Sequence, residues 1–304
     1  MKNNQIQYFS VFLRVTMAVF LSFNYSLNQF VSGQASAALS WAESSRQAHE
    51  ISVYGGGGLS SLRYQLSLSG DKVNVSGGFG GDFGIGYTRF FVSNWGIHTG
   101  AGIGIYNSKT ALDGVKAITP NLADSDLDNF DMHTVMNNFN ESQHVKFLNI
   151  PVMVHFQSNL EQGFYVLGGV KAGIPLGGKY TSSCAKLTNS GFYPKFGNWA
   201  TDQEFAGFGD FDDRRFDGKL KFDVSLMFAL EAGMKLNMGR GLSLYAGAYF
   251  DLGLNNAAHD NSLPFVVFAA ENASEFATNS VLSSLAEKAN VMAAGVKLRL
   301  AFRM

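Results

Sequence analysis

The stretch Trp95-Gly96-Ile97-His98-Thr99-Gly100-Ala101-Gly102-Ile103-Gly104-Ile105-Tyr106 alternates large apolar residues with glycine or polar residues. One face of an extended chain would carry Trp95, Ile97, Ala101, Ile103 and Ile105, and the other would carry Gly96, His98, Gly100, Gly102 and Gly104. Because successive side chains of a β-strand point to opposite faces, this period of two predicts a strand with one broad apolar face and one small, polar face.

The same alternation recurs along the chain and predicts eight strands. They cover about residues 50–66, 77–91, 95–107, 144–157, 163–180, 220–236, 242–252 and 290–303. Each is long enough for the ~9–11 tilted residues that cross a bilayer. Short connections alternate with long ones, at 67–76, 108–143, 181–219 and 253–289. This pattern predicts an all-β fold, an eight-stranded antiparallel transmembrane up-and-down β-barrel with short periplasmic turns and long extracellular loops.

The composition excludes several other classes of protein. Charged residues make up 15% of the 304 residues, the net charge is −1, and the single cysteine is Cys184. Intrinsic disorder, a disulfide scaffold and a nucleic-acid-binding surface are therefore excluded. A soluble barrel remains the alternative, because alternation alone does not say which face lies inside. The glycine-rich polar face and the low charge favour the membrane.

The N-terminus has the order of features found in a secretory signal. Lys2 and Arg14 precede the apolar run 17–23, and small residues follow at 31–37. This order predicts a signal peptide over residues 1–33, with cleavage as late as 37, a periplasmic lead-in over 34–49 and the barrel over 50–304. The expected location is the outer membrane of a Gram-negative bacterium.

Two segments carry a family resemblance. Residues 80–91 (GGDFGIGYTRFF) with 94–100 (NWGIHTG) resemble the second hairpin of the outer-membrane β-barrel superfamily, which includes OmpA-like and PorT-like barrels. Residues 147–154 (FLNIPVMV) are similar to the Y-L-E-I-P-L-L-L run of PorT-like members, with Asn149 in place of the usual acid. The resemblance implies architecture and location, and it carries no catalytic residues.

The polar face of the strands supplies a candidate lumen network. Its ionisable members are Asp82, His98, His155, Lys171, Lys221, Asp223, Glu231, Lys235, Asp251, Lys297 and Arg299. Lys171 and Glu231 could meet across neighbouring strands. Such a network either plugs a narrow barrel with ion pairs or lines a narrow conducting path.

The long loops supply candidate recognition residues. An aromatic and arginine-rich set, of the composition found in recognition surfaces, comprises Phe192, Tyr193, Phe196, Trp199, Phe208, Phe211, Arg214 and Arg215. These aromatics could instead pack on one another. Met132, Val135, Met136 and Phe139 recur at helical spacing and predict a short helix. A second helix is predicted over 274–288, folding over the barrel mouth.

Neither a metal site nor an enzyme is predicted. Asp124, Asp126 and Asp128 form a weak calcium candidate that lacks the Gly and Glu of a calcium loop. None of the six histidines lies in a recognisable nucleophile motif. No cofactor is expected.

The sequence therefore favours a non-enzymatic structural or surface-binding role through the extracellular loops. One alternative is a narrow porin-like channel, and another, implied by the PorT-like resemblance, is a subunit of a protein-export assembly. Expected partners are the lipid bilayer, lipopolysaccharide, the outer-membrane assembly machinery and a surface ligand or partner protein, but not nucleic acid.

Overall fold

The computed structural model describes residues 48–66, 73–158, 162–259, 263–268 and 277–304. The predicted signal peptide, 1–33, lies outside these residues, as does the lead-in up to residue 47. The strands are β1 Ala48–Leu66, β2 Val73–Phe90, β3 Trp95–Ala123, β4 Asn129–Gln157, β5 Gln162–Tyr193, β6 Asn198–Ala200, β7 Gly209–Leu220, β8 Ser225–Gly239, β9 Leu242–Gly253, β10 Val266–Val267, β11 Ala277–Thr278 and β12 Ala286–Arg303.

Within the described residues, eight strands close into an antiparallel ring. The order around the ring is β1-β2-β3-β4-β5-β8-β9-β12, and β12 pairs with β1 to complete it. A closed ring pairs the backbone groups of every strand on both sides, which a strand in hydrocarbon requires. The predicted up-and-down barrel is confirmed.

The apolar face of the alternation points outward. Ile85, Val152 and Val296 have exposed fractions of 60%, 53% and 66%, whereas Asp82 and Arg299, which point inward, are 3% exposed. A soluble barrel would place these residues the other way round. The orientation therefore matches a lipid-facing belt around a polar lumen.

The short turns lie at the end of the ring where the sequence predicts them. The short turns after β2, β4 and β8 lie at one end, and the main-chain N–H of Met304 donates to the carbonyl of His49 at that same end, 2.8 Å away. Aromatic side chains flank the turns after β2 and β4, where Trp95 packs edge-on against Phe156 with ring centroids 4.7 Å apart. An aromatic girdle with short turns marks the periplasmic boundary of such barrels.

On the opposite side, three strands continue far beyond the membrane. β3, β4 and β5 have 29, 29 and 32 residues, about three times the ~9–11 that a bilayer requires. Above the ring β7 pairs with β5, so the extracellular extension is a sheet in the order β3-β4-β5-β7. The segments 108–143 and 181–219 are thus largely strand.

The helix predicted from Met132 to Phe139 is wrong, because these residues lie within β4. Met132 and Met136 are four residues apart, a spacing that fits a strand face as well as a helix face. Asn138 has a positive φ of 52°, and the alternation changes phase there, so that Phe139 also points inward. The change of phase in this strand therefore produced the spacing of apolar residues that is typical of a helix.

The predicted strand 220–236 is two strands with a break between them. β7 ends at Leu220 and β8 begins at Ser225, and the alternation changes phase within the intervening residues. Phe222 is buried, whereas Lys221 and Asp223 are exposed. The placement of Lys221 and Asp223 in the lumen was therefore wrong.

The extracellular mouth of the ring is covered by the last long connection. In its described part, the predicted helix 274–288 shrinks to one turn, Val281–Ser284, followed directly by β12. Leu282 of this turn packs in a buried apolar cluster with Leu62, Phe147 and Leu220. Among the described residues, no helix is long and apolar enough to cross a membrane.

Candidate functional site

The centre of the lumen is occupied by two lysines and two aspartates from four strands. Lys171 Nζ on β5 lies 2.7 Å from Asp251 Oδ2 on β9 and 3.4 Å from Asp82 Oδ2 on β2. Lys297 Nζ on β12 lies 3.0 Å from the same Asp82 oxygen. Inward-pointing side chains of distant strands meet here only because the ring is closed.

A second group lies next to the first and is centred on Glu231. Arg299 Nη2 donates to both Glu231 oxygens, at 2.9 and 2.8 Å, and Tyr165 Oη donates to Oε1 at 2.9 Å. Lys297 Nζ, 3.6 Å from Glu231 Oε2, joins this group to the first. The Lys171–Glu231 pair suggested by the sequence is wrong, because the register sets Leu167 opposite Glu231 and Met227 opposite Lys171.

A third group, near the periplasmic end, contains residues that the sequence reasoning missed. Lys235 Nζ donates to Gln157 Oε1 at 2.8 Å and lies 3.7 Å from Glu50 Oε1, and Tyr245 Oη donates to Glu50 Oε2 at 2.8 Å. Glu50 is the first residue of the predicted strand 50–66 and is in phase with the inward residues Ser52 and Tyr54, so the alternation could have identified it.

The buried charges of the described lumen network sum to zero. Its buried acids are Glu50, Asp82, Glu231 and Asp251, and its buried bases are Lys171, Lys235, Lys297 and Arg299. The cavity between them, lined by residues such as Tyr54, His98 and Arg299, has a volume of about 10 Å³. That volume holds about one water molecule.

Apolar side chains pack above and among these charges. The cluster that contains Leu62, Phe147 and Leu282 lies on the extracellular side, and Met153, Leu167 and Ala301 pack among the charged groups. Paired charges packed among apolar side chains rigidify a barrel interior.

The two lumen histidines have packing and hydrogen-bonding surroundings. His98 Nδ1 is 2.9 Å from Thr88 Oγ1. The His155 ring lies among the rings of Phe90, Tyr165 and Tyr245, at centroid distances of 5.0, 6.2 and 5.7 Å. These contacts hold both imidazoles in place.

Above the membrane, Glu141 of β4 fastens the one-turn helix over the mouth. Its carboxylate accepts hydrogen bonds from Ser280 Oγ, from the main-chain N–H of Val281 at 3.1 Å and from Gln143 Nε2 at 2.7 Å. Burial raises the pKa of Glu141 to about 7, although these donors act in the opposite direction. Nothing in the sequence indicated this contact, because Ser280 and Val281 are about 140 residues from Glu141 along the chain.

The inner face of the extracellular extension has its own apolar core. Its buried members include Leu112, Phe130, Met136, Leu187 and Val266. Phe208 and Phe211 also belong to it, with exposed fractions of 2% and 7%, so their assignment to a recognition surface was wrong. Arg214 and Arg215 are exposed, and Arg214 lies over the Phe211 ring at 5.0 Å.

The distal tip of the extension combines the β3–β4 turn with the segment after β5. Lys195 Nζ lies 2.6 Å from Asp128 Oδ1, and Tyr193 Oη donates to Asp124 Oδ2 at 3.1 Å, so the two segments touch. Burial and the Asp124 carboxylate raise the pKa of Tyr193 to about 12.

Large apolar side chains remain exposed around this contact. The exposed fractions are 82% for Phe205 and Leu127, 55% for Trp199 and 54% for Phe196. Phe192, which is half-buried, packs against Trp199 with ring centroids 5.0 Å apart.

The calcium candidate residues are used to build the β3–β4 turn. Asp124 Oδ1 accepts from the main-chain N–H groups of Asp126 and Asp128, both at 3.0 Å. Among the described residues, no group of three or more His, Cys, Asp or Glu side chains is arranged to hold a metal ion. These aspartates act as turn-forming residues.

Several solved structures of outer-membrane proteins are similar to this chain. One is Ail of Yersinia pestis, solved with the heparin analogue sucrose octasulfate, at 12% identity, with 84% of this chain and 99% of that chain covered and a TM-score of 0.27. OprG of Pseudomonas aeruginosa has 11% identity and a TM-score of 0.30, with 84% of this chain and 97% of that chain covered. A major outer membrane protein of Thermus thermophilus has 10% identity and a TM-score of 0.33, with 84% of this chain and 99% of that chain covered.

No curated protein matches the chain. The profile of the outer membrane protein beta-barrel domain, however, matches residues 41–259, which is more than half of the chain. The protein therefore belongs to the outer membrane protein beta-barrel domain family and lies in the outer membrane of a Gram-negative bacterium.

Proposed function

We propose that the barrel is a closed, non-enzymatic anchor and that the distal tip of the extracellular extension binds a ligand or partner protein outside the cell. The observation that carries this proposal is the filled lumen, in which paired charges leave a cavity of about 10 Å³. A conducting path needs a continuous column of water through the charged layer. The narrow porin-like channel is therefore disfavoured.

The tip has the chemistry of a binding surface. Phe205 and Leu127 are 82% exposed, in the part of the chain above the membrane. Asp126, Asp202 and Glu204 are exposed beside them in sequence. Exposed apolar groups next to carboxylates suit a partner that presents apolar and cationic groups together.

The first experiment measures conductance. We expect the refolded full chain to shift its gel mobility on boiling, as a folded barrel does, and to give no discrete current steps in a planar bilayer. Reproducible steps that disappear in a Lys171 variant would refute the closed anchor and support the channel.

The second experiment tests the tip. The double variant Phe205→Ser, Leu127→Ser and a control, Asp213→Ser, Asp217→Ser on the exposed side of β7, are displayed on cells and compared on immobilised polysaccharides and secreted proteins. We expect the tip variant alone to lose a binding interaction of the native chain. Equal binding by both variants would contradict the proposal. Secreted cargo that stays in the periplasm when the protein is removed would favour the export-assembly role instead.

A further inference from the structure

A groove crosses the outer surface of the barrel where the extracellular extension leaves the membrane. It has a volume of about 310 Å³, and it is lined by Phe79, Asn107, Lys109, Ser142, His144 and Lys179. These residues come from β2, β3, β4 and β5, which are successive neighbours in the ring. The groove is therefore built on paired strands.

Cations are concentrated in and around this groove. Lys179 stands directly opposite His144 on β4 and directly opposite Lys219 on β7. Lys109 lies on β3 and Lys146 on β4, two residues from His144, and all four lysines are exposed. We call the groove with these lysines and His144 the lysine groove.

Within the part of the chain that the structure describes, the lysines of this groove have no acidic partners. Among the described residues, no carboxylate lies within 4.0 Å of Lys109, Lys146, Lys179 or Lys219. Like charges placed directly opposite each other on neighbouring strands destabilise a sheet. An anion from outside the chain would therefore reduce the repulsion between Lys179 and Lys219.

His144 responds to the same positive field. Its Nδ1 is 2.7 Å from Asn107 Oδ1, which orients the ring. Partial burial lowers its pKa, and the charges of Lys146 and Lys179 lower it further. These effects favour the neutral imidazole, which offers a polar contact between the ammonium groups.

Lipid-facing apolar surface lies directly below the groove. Phe79 is 75% exposed, Leu176 56% and Ile174 41%. Along β4 towards the membrane, the outward residues are His144, Lys146, Leu148 and Ile150, so the outer face changes from polar to apolar after Lys146. The groove therefore meets the membrane at the boundary between headgroups and acyl chains.

We propose that the lysine groove binds the phosphate of a phosphorylated, acylated glycolipid of the outer leaflet, with acyl chains against Phe79 and Leu176. The phosphate lies between Lys109, His144 and Lys179, and Lys146 approaches it from the membrane side. The phosphate supplies an anionic partner for these lysines, and the attached acyl chains cover the apolar surface beneath them. This inference is independent of the proposed role of the distal tip.

The test uses the refolded full chain in bilayer discs of neutral phospholipid. The discs contain bisphosphorylated lipid A, or the same lipid with its phosphates removed, and the lipid retained on the barrel after extraction is counted by native mass spectrometry. A surface lysine contributes a factor of about five to binding an anionic headgroup. We expect about fivefold weaker binding in Lys179→Gln, and a loss on the order of 100-fold when Lys109, Lys146 and Lys179 are all changed to Gln.

The controls separate this site from general attraction to the membrane. Lys116→Gln removes an exposed lysine higher on β3 and is expected to bind like the native chain, whereas Lys179→Arg is expected to retain binding. Equal retention of the phosphorylated and dephosphorylated lipids would overturn the proposal, as would equal losses in Lys179→Gln and Lys116→Gln. Complete displacement of the lipid by inorganic phosphate would mean that the groove takes free phosphate, and would also overturn it.

Discussion

Replacing Lys171 with methionine tests whether the lumen network holds the barrel together. The ammonium is the cation nearest to Asp251, at 2.7 Å, and it shares Asp82 with Lys297. The side chains of Lys171 and Asp251 are 5% and 2% exposed, so water does not replace the lost partner. Removing one member of a buried ion pair costs about 3–5 kcal/mol, because the remaining charge stays buried. We expect a loss of stability in this range.

The assay is reversible urea unfolding in lipid vesicles, followed by tryptophan fluorescence and by the gel shift of unboiled protein. Lys116→Met, at an exposed position, is the control and is expected to change stability by no more than about 0.5 kcal/mol. The double variant Lys171→Met, Asp251→Leu removes the orphaned charge and is expected to recover part of the loss. The reasoning is refuted if Lys171→Met is as stable as the native barrel, or if the double variant is less stable than the single one.

Three further predictions concern other parts of the chain. Because the pKa of Glu141 is raised to about 7 in the folded protein, its contribution to stability is complete below about pH 4.5 and is lost as the pH rises through 7. The free energy of unfolding obtained from urea titrations should therefore fall by on the order of 3 kcal/mol from pH 5 to pH 8, and by less in Glu141→Gln. An unchanged pH dependence in the variant would contradict this. Gly295→Ala should impair folding, because a Cβ at this position would overlap the Gly57 carbonyl oxygen, whereas Gly55 has open space around it and Gly55→Ala should fold normally. The gel shift of unboiled protein measures the folding of both variants. Equal folding of the two would contradict the close packing at Gly295. Cys184 is 3% exposed, and burial raises the pKa of its thiol. Maleimide should therefore label Cys184 slowly in the folded chain and quickly in urea. Fast labelling of the folded chain would contradict the buried position of this thiol.

Some parts of the candidate site follow from alternation and others do not. The inward positions of Asp82, Lys171 and Glu231 could be predicted, because each lies in an uninterrupted period of two. Lys221 and Asp223 could not be placed, because the phase changes between β7 and β8 and a break of four residues leaves no mark in the pattern. Phe208 and Phe211 were assigned to a surface because composition cannot distinguish an aromatic core from an exposed aromatic patch.

The sequence by itself determined the class of fold, the eight crossing segments and the end at which the short turns lie. These properties depend on side-chain period and on the distance along the chain between strands, and both can be read locally. Only the tertiary structure decided which charges pair, since closure of the ring brings Asp82 to Lys171 and Lys297 across 89 and 215 residues. It also decided that the long connections extend the sheet and close the mouth, because strand pairing and burial depend on what lies opposite each residue in space.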